Sequence, residues 1–280
     1  MAHQPAASCI CMTYGRPEVL EEAIYSFLLQ DYAGRKELVV LNDYIEQTLL
    51  FDHPEVQVIN CPKRFRTVGE KMNAAVALAS HDLLFVWDDD DIYLPHRLRF
   101  SIEHFDPQKG FFKPDKAWFW QHEKLHGLGD KSLFHVGSCW SRQLFDGVRG
   151  YPAEGTGYDL VFEERLAKSF PGSTQMYNIR PEDIYYIYRW HGTGSYHMSQ
   201  FGDYRAGGNV GHNQVESFVQ QRARRGGIRQ GNISLHPRWK TDYRQLVTRY
   251  LATLPEQQAQ VRPVLAIPDA GGNPSGKGES

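Results

Sequence analysis

The sequence predicts an α/β domain: a mostly parallel sheet covered by helices, with a small antiparallel sheet beside it. Three observations carry that expectation. Short apolar runs at residues 8–12, 37–41 and 83–87 have the length and composition of buried strands. The stretches around them place apolar residues at helical spacing, so the connections are long enough to be crossovers. Each run also ends in a polar loop, and ligands in such sheets bind beyond the carboxyl ends of the strands.

The first strand breaks at Thr13-Tyr14-Gly15-Arg16-Pro17. Pro17 suits the first turn of a helix, where its missing N–H costs nothing. Leu20, Ala23, Ile24, Phe27 and Leu28 then mark an apolar helical face. Residues 37–41 form a second strand ending at Asn42-Asp43, and residues 56–60 a third, followed by a loop through Arg64 and Arg66. Val68, Met72, Ala75, Val76 and Ala79 give another helical stripe leading into the strand at 83–87.

Further on, a helix is expected over 96–105. Paired strands are expected at 117–125 and 132–140, joined by Gly127-Leu128-Gly129-Asp130. Residues 147–157 are glycine-rich, 158–169 helical, and 184–190 a last aromatic strand followed by His191. Glycine and polar residues dominate 201–231, with a basic cluster at Arg222, Arg224, Arg225 and Arg229, and 236–254 contains one amphipathic helix. The tail, 256–280, has the composition of a disordered segment. A domain over 1–200, divided near residue 95, with a C-terminal extension over 201–255, is the expected organisation.

Composition narrows the class. A net charge of −2 argues against a generally basic nucleic-acid binder. No charged leader with a long apolar stretch opens the chain, and no apolar run approaches the roughly 20 residues of a membrane span, so a cytoplasmic protein is expected. The four cysteines lack zinc-finger spacing and read as buried reduced thiols, with Cys9 and Cys11 on one face of their strand.

The chemistry concentrates at Asp88-Asp89-Asp90-Asp91, directly after the third of the apolar runs named at the outset. Two like charges about 4 Å apart repel by about 1 kcal/mol in water and about 4 kcal/mol at an effective dielectric near 20. Four carboxylates at the mouth of a core strand therefore call for a cation or for solvent. Hard oxygen ligands favour Mg²⁺, Mn²⁺ or Ca²⁺. A solvated acidic turn is the alternative.

In their order and their shared place at strand ends, CMTYGRPEVLEEAIYSFLLQDY, ELVVLND, VGEKMNAAVALASHDLLFVWDDDDIYLPHRL, GYDLVFEERL and YRWHGTGS resemble the family 2 glycosyltransferases of the GT-A fold. The resemblance covers about residues 8–195. It implies a Rossmann-like sheet with an acceptor-side antiparallel sheet, and metal-assisted, inverting transfer of a sugar from a nucleotide-sugar, with Mn²⁺ or Mg²⁺, to an acceptor the sequence does not identify. Asp88 and Asp90 then correspond to the family's DXD pair. Asp90 would hold the metal that bridges the diphosphate, and Asp88 the ribose or the metal shell. Asp89 is a further donor-side residue, and Asp91's share stays open.

Thr13, Tyr14 and Arg16 would hold the nucleoside, with Tyr14 stacking on the base and Arg16 pairing with an acidic neighbour or a phosphate. Asn42 stands where the family has an acidic residue, followed by Asp43, and uracil is the expected base. Lys71 resembles a lysine beside the diphosphate, with an exposed helical lysine as the alternative and Arg66 as a rival. Asp159 matches the catalytic base, although Tyr158 precedes it where the family often has Glu. An N-terminal cap is the alternative for Asp159, and Glu163 and Glu164 are rivals for its task. His191 is a candidate third metal ligand or phosphate contact, or a structural histidine, and His197 is a weaker one.

Trp118, Trp120 and Trp140 fit either a sugar-binding face or the core. The arginines at 222–229 fit an anion site or a solvated loop. Two other classes remain: a sugar-1-phosphate nucleotidyltransferase, whose glycine-rich basic loop TYGRP lacks, and a non-enzymatic metal- or carbohydrate-binding module. A glycosidase would need two carboxylates facing across one bond.

Overall fold

The computed structural model describes residues 4–129, 135–154, 157–190 and 212–254. The elements in chain order are β1 (Ala7–Thr13), α1 (Pro17–Leu28), β2 (Lys36–Asn42), β3 (Gln47–Leu50), β4 (Val56–Asn60), α2 (Val68–Leu78), β5 (Leu83–Val86), β6 (Ile92–Tyr93) and α3 (Arg97–His104). They continue through β7 (Phe111–Pro114), β8 (Lys116–Gln121), β9 (Lys124–Gly129), β10 (Cys139–Ser141), α4 (Arg142–Gly147), α5 (Tyr158–Ser169), β11 (Thr174–Tyr177), β12 (Tyr186–Arg189), α6 (His212–Arg224), β13 (Gly231–Ser234) and α7 (Tyr243–Leu251).

The main sheet has seven strands in the order β11-β7-β10-β5-β1-β2-β4. β1 lies between β2 and β5, parallel to both, and β10 alone runs antiparallel to its neighbours. Successive side chains of a strand face opposite sides, and the two cores follow that period. Cys9, Cys11, Leu38, Val40 and Phe85 pack with the apolar face of α1 on one side. Ile10, Leu41, Leu84 and Val86 pack with Met72 and Val76 of α2 and Phe162 of α5 on the other. The cysteines are free thiols, and burial pushes Cys9 up to about 12, so it stays protonated.

The expected mostly parallel sheet is thus present, whereas the smaller sheet is mixed rather than antiparallel. It runs β6-β12-β8-β9, with β12 parallel to β8. The strand pair expected at 117–125 and 132–140 is also corrected. β8 pairs with β9 across His122-Glu123, both left-handed at φ 50° and 60°, while Trp140 lies in β10 of the main sheet. Trp118 and Trp140 are core residues and not an open sugar-binding face.

Residues 212–254 pack back on this body. β13 pairs in parallel with β3, and Ile233, Leu235, Tyr243 and Val247 join the α1-side core. Among the described residues, no helix is long and apolar enough to cross a membrane. His191, His197 and the tail at 256–280 lie outside the described residues.

Candidate active site

β1, β2 and β5 end side by side, and their loops form one rim. After Val86 the chain turns through the four aspartates, so they no longer alternate as strand residues would. Asp88, Asp90 and Asp91 converge, each offering a carboxylate oxygen, all within 4.8 Å of one another. Asp89 faces away to Arg16, whose guanidinium pairs with it through two nitrogens and donates from the third to Asp90 Oδ2 at 2.7 Å. Arg16 therefore joins the first-strand loop to the aspartate turn. It is placed there by α1, which begins at Pro17 with Arg16 in the N-cap position.

The turn is braced from behind. The Tyr93 hydroxyl accepts the Asp88 amide N–H at 2.7 Å. Asp91 accepts from the Tyr186 hydroxyl at 2.7 Å and from the Arg189 amide at 2.8 Å. The buried Arg189 guanidinium donates to the Asp90 carbonyl and to Glu22, both at 2.6 Å, and to the Tyr243 hydroxyl at 2.9 Å. Arg97, fully buried among aromatic rings, donates at 2.7 Å to the Val86 carbonyl two residues before the cluster. None of this bracing was evident in the sequence, because Arg189, Arg97 and Glu22 meet the turn only through tertiary structure.

The donor set fits a divalent cation. Burial raises the Asp88 carboxyl well above the ordinary range, and Asp91, Asp90 and Asp89 add repulsion that Arg16 only partly relieves. Burial and Asp90 push Asp91 up to about 8 despite its hydrogen bonds. An all-oxygen cluster that resists ionisation as strongly as this is stabilised by an added positive charge, and hard ions such as Mg²⁺ or Mn²⁺ suit it. Asp88, Asp90 and Asp91 would hold the ion.

Asp159 lies on the first turn of α5. The N-cap position belongs to Gly157, left-handed at φ 68°, and carries no side-chain cap, so Asp159 is not the capping residue. Its neighbour Tyr158 is raised well above 10 by burial, with Asp88, Asp159 and Asp90 adding to the shift, which brings the start of α5 into the field of the aspartate turn. Glu163, one turn on, is engaged at both oxygens. Lys113 Nζ donates to them at 2.7 and 2.8 Å, and His135 Nδ1 lies 2.8 Å from Oε1, with Nε2 of the same ring 2.7 Å from the Tyr151 hydroxyl. Glu163 therefore anchors α5 to β7. Glu164 pairs at the surface with Lys168.

The remaining candidates separate. The buried Lys71 donates to the Thr13 carbonyl at 2.6 Å and to Asp43, tying the ends of β1 and β2 together, so it is not the exposed helical lysine of the alternative reading. Asn42 does not present its amide to a ligand. Its Nδ2 donates to the Gln47 carbonyl and to Asn60 Oδ1, both at 3.0 Å, and its Oδ1 accepts the Tyr44 N–H at 3.1 Å. Asp43 and Tyr44 stand at the rim in its place. Arg66 is exposed and pairs with Glu70, one turn along α2.

A cavity of about 560 Å³ opens beside the rim, lined by Tyr14, Asp43, Tyr44, Arg64, Glu216 and Arg224 among others. Tyr14 and Tyr44 meet at 5.1 Å between ring centroids, with the Arg64 guanidinium 4.8 Å from the Tyr14 ring. Of the basic cluster, Arg224 lines this cavity, while Arg222 lies over Phe218 and Arg229 is an exposed neighbour of Glu18.

This sheet order, with the aspartate turn after β5 and the rim at the ends of β1 and β2, is that of a GT-A glycosyltransferase fold. Residues 8–114 match the family model described as Glycosyl transferase family 2, so the resemblance read from the motifs is shown over that span. Among solved structures, residues 1–349 of TarS from S. aureus superpose with a TM-score of 0.53 at 15% identity, over 66% of this chain and 60% of that one. The complex of the same TarS segment with UDP-GlcNAc gives 0.54 at 14% identity, over 76% of this chain and 65% of that one. Its complex with UDP gives 0.52 at 15% identity, over 67% and 61%. This chain thus spans less than two thirds of the TarS segment, and the likeness is one of fold. No curated protein matches the sequence.

Proposed function

We propose that this protein is an inverting glycosyltransferase that moves a sugar from a nucleoside-diphosphate sugar, with uracil as the expected base, to an acceptor hydroxyl. The observation that carries the reading is the convergence of Asp88, Asp90 and Asp91 at the end of β5, within the field of the helix start that bears Asp159. The family match over 8–114 and neighbours solved with UDP and UDP-GlcNAc support the same donor class.

In this reading the nucleoside lies against Tyr14, Asp43 and Tyr44, and its diphosphate runs toward the aspartate turn. Asp88, Asp90 and Asp91 would hold Mn²⁺ or Mg²⁺, whose charge would offset that of the departing diphosphate. Arg16 keeps Asp89 and Asp90 in place. Asp159 takes the proton of the acceptor hydroxyl as that oxygen bonds to the anomeric carbon and the bond to the diphosphate oxygen breaks. A single displacement of this kind inverts the configuration at that carbon. The fixed ion pairs of Glu163 leave Asp159 as the carboxylate of α5 suited to the task.

The test is transfer or donor hydrolysis with a panel of nucleotide-sugars in Mn²⁺ or Mg²⁺. Asp159→Asn is expected to lower kcat by about 100-fold or more, the range of general-base contributions, while nucleotide affinity is retained. Asp90→Ala is expected to abolish the metal-dependent part of donor binding. Unchanged turnover in both variants would sink the assignment.

A further inference from the structure

Resting on the donor reading above, we infer that α6 is the base-reading wall of the donor pocket, and that Glu216 selects a nucleobase with an N–H at the centre of its pairing edge. Such a base is uracil, thymine or guanine, as opposed to cytosine.

The helix is seated firmly over the rim. Val215 and Val219 are buried against Tyr44. Val219 comes so close to Gly15 that a Cβ there would lie 3.1 Å from it, and Gly15 is left-handed at φ 69°, so both contact and conformation call for glycine. Arg64 NH1 donates to Glu216 Oε2 at 3.1 Å, and Gln230 Nε2 donates to the Tyr44 hydroxyl at 2.9 Å. The 560 Å³ cavity lies between this helix and the ends of β1 and β2.

The two walls offer different chemistry. On the sheet side, aromatic rings supply a stacking surface, while the side-chain polar atoms of Asp43 and Asn42 are engaged within the fold. One Asp43 oxygen receives Lys71 and the other the Phe65 N–H, and Asn42 is bonded through both ends of its amide. On the helix side, Glu216 lines the cavity. Its Oε2 is held by Arg64, and among the described residues its Oε1 meets only a 3.2 Å contact from Gln220. A carboxylate fixed in this way by an arginine only accepts hydrogen bonds. It welcomes the ring N–H of uracil, thymine or guanine and opposes the lone pair that cytosine carries at the same position.

α6 lies outside residues 8–114, the span that matches the family model. Gln220, one turn further along α6, lines the same cavity and donates to Glu216 Oε1, an oxygen that can accept a second hydrogen bond.

The experiment is a titration of UDP, GDP and CDP with Mn²⁺ against the full chain, followed by Glu216→Gln and Glu216→Ala. Glu216 is about half exposed, so neither substitution threatens the fold. UDP and GDP are expected to bind about tenfold tighter than CDP, as one hydrogen bond to a charged acceptor allows. Both variants are expected to bring that ratio to near one. A helix that merely covers the pocket would weaken all three nucleotides by the same factor, and that result overturns the inference, as does a wild-type protein with no preference against CDP. If the wild-type protein binds none of the three, the donor reading itself falls and the inference with it. Binding with an unmoved ratio removes the inference alone.

Discussion

At the scale of single residues, two basic side chains that the sequence presents as rivals have opposite physical weight. Lys71 is buried with Asp43, and removing one partner of a buried ion pair leaves a stranded charge that costs about 3–5 kcal/mol. Arg66 pairs with Glu70 in solvent, where such contacts are worth about 0–1 kcal/mol. Chemical denaturation should therefore show Lys71→Ala losing several kcal/mol and Arg66→Ala under about 0.5 kcal/mol. Glu163 gives a pH signature. Burial alone would raise its carboxyl, but His135 and Lys113 hold it below its ordinary 4.5. Its stabilisation is thus complete above 4.5 and lost as pH falls through the lower folded-state value. Glu163→Gln should cost about 2 kcal/mol at pH 7, with the gap to wild type closing in acid, as read from urea midpoints across pH. In the sequence the four consecutive aspartates after an apolar strand were legible as a local pattern, while the pairing of Asp88 with Asp90 came from the family resemblance. The convergence of Asp91 was not legible, since it depends on the turn at 88–91.

At the scale of elements, α2 and the loop before α5 are fitted to each other. Thr67 caps α2 by accepting the Glu70 N–H at 3.1 Å, and Thr67→Ala should cost about 1 kcal/mol. Gly69 is more constrained, since a Cβ there would lie 1.7 Å from the Pro152 carbonyl oxygen. Asn73 makes two bonds to the Tyr151 backbone in the same loop, at 2.8 and 2.9 Å. Gly69→Ala is expected to lose about 1–3 kcal/mol and to lower turnover along with it, by displacing the chain that leads to Asp159. A variant of wild-type stability would contradict this packing. The helices α1, α2, α3 and α5 were readable because apolar spacing is a local signal, reinforced by Pro17 at the start of α1 and Pro95 just before α3. The β8–β9 turn was not, because His122 and Glu123 adopt left-handed angles that usually go to Gly or Asn. α6 was missed because its apolar face is narrow, Val215 and Val219 within a polar run, and β3 and β13 because each is four residues long and finds its partner far along the chain.

At the scale of the molecule, the aspartate turn couples stability to pH and would couple it to a bound cation. Asp91, raised to about 8, keeps a proton in the folded state that it loses near 3.8 when unfolded. This group therefore lowers stability progressively as pH rises from about 4 to 8. A cation that replaces the proton should recover the loss, so the rise in Tm with Mn²⁺ should grow between pH 6 and 8 and vanish with a chelator. A rise independent of pH would place the ion elsewhere. Residues 212–254 belong to the same unit. A chain ending at residue 190 would expose Leu49 and the α1 face and strip Arg189 of Tyr243, and it should fail to give a cooperative thermal transition.

The Glu22–Arg189–Tyr243 contact also sets an order of events in the life of the chain. The Glu22 carboxylate finds its partners Arg189 and Tyr243 at separations of 167 and 221 positions along the chain, and Gln47 of β3 donates to the Arg229 carbonyl at a separation of 182, just before the β13 strand that pairs with β3. Contacts so distant in sequence form late and slowly. Tyr93 and Arg97, close in sequence, can brace the aspartate turn early in folding, whereas Arg189 with Glu22 and Tyr243 joins it late. The bracing of the aspartate turn is thereby complete only when residues 212–254 have packed back on the body.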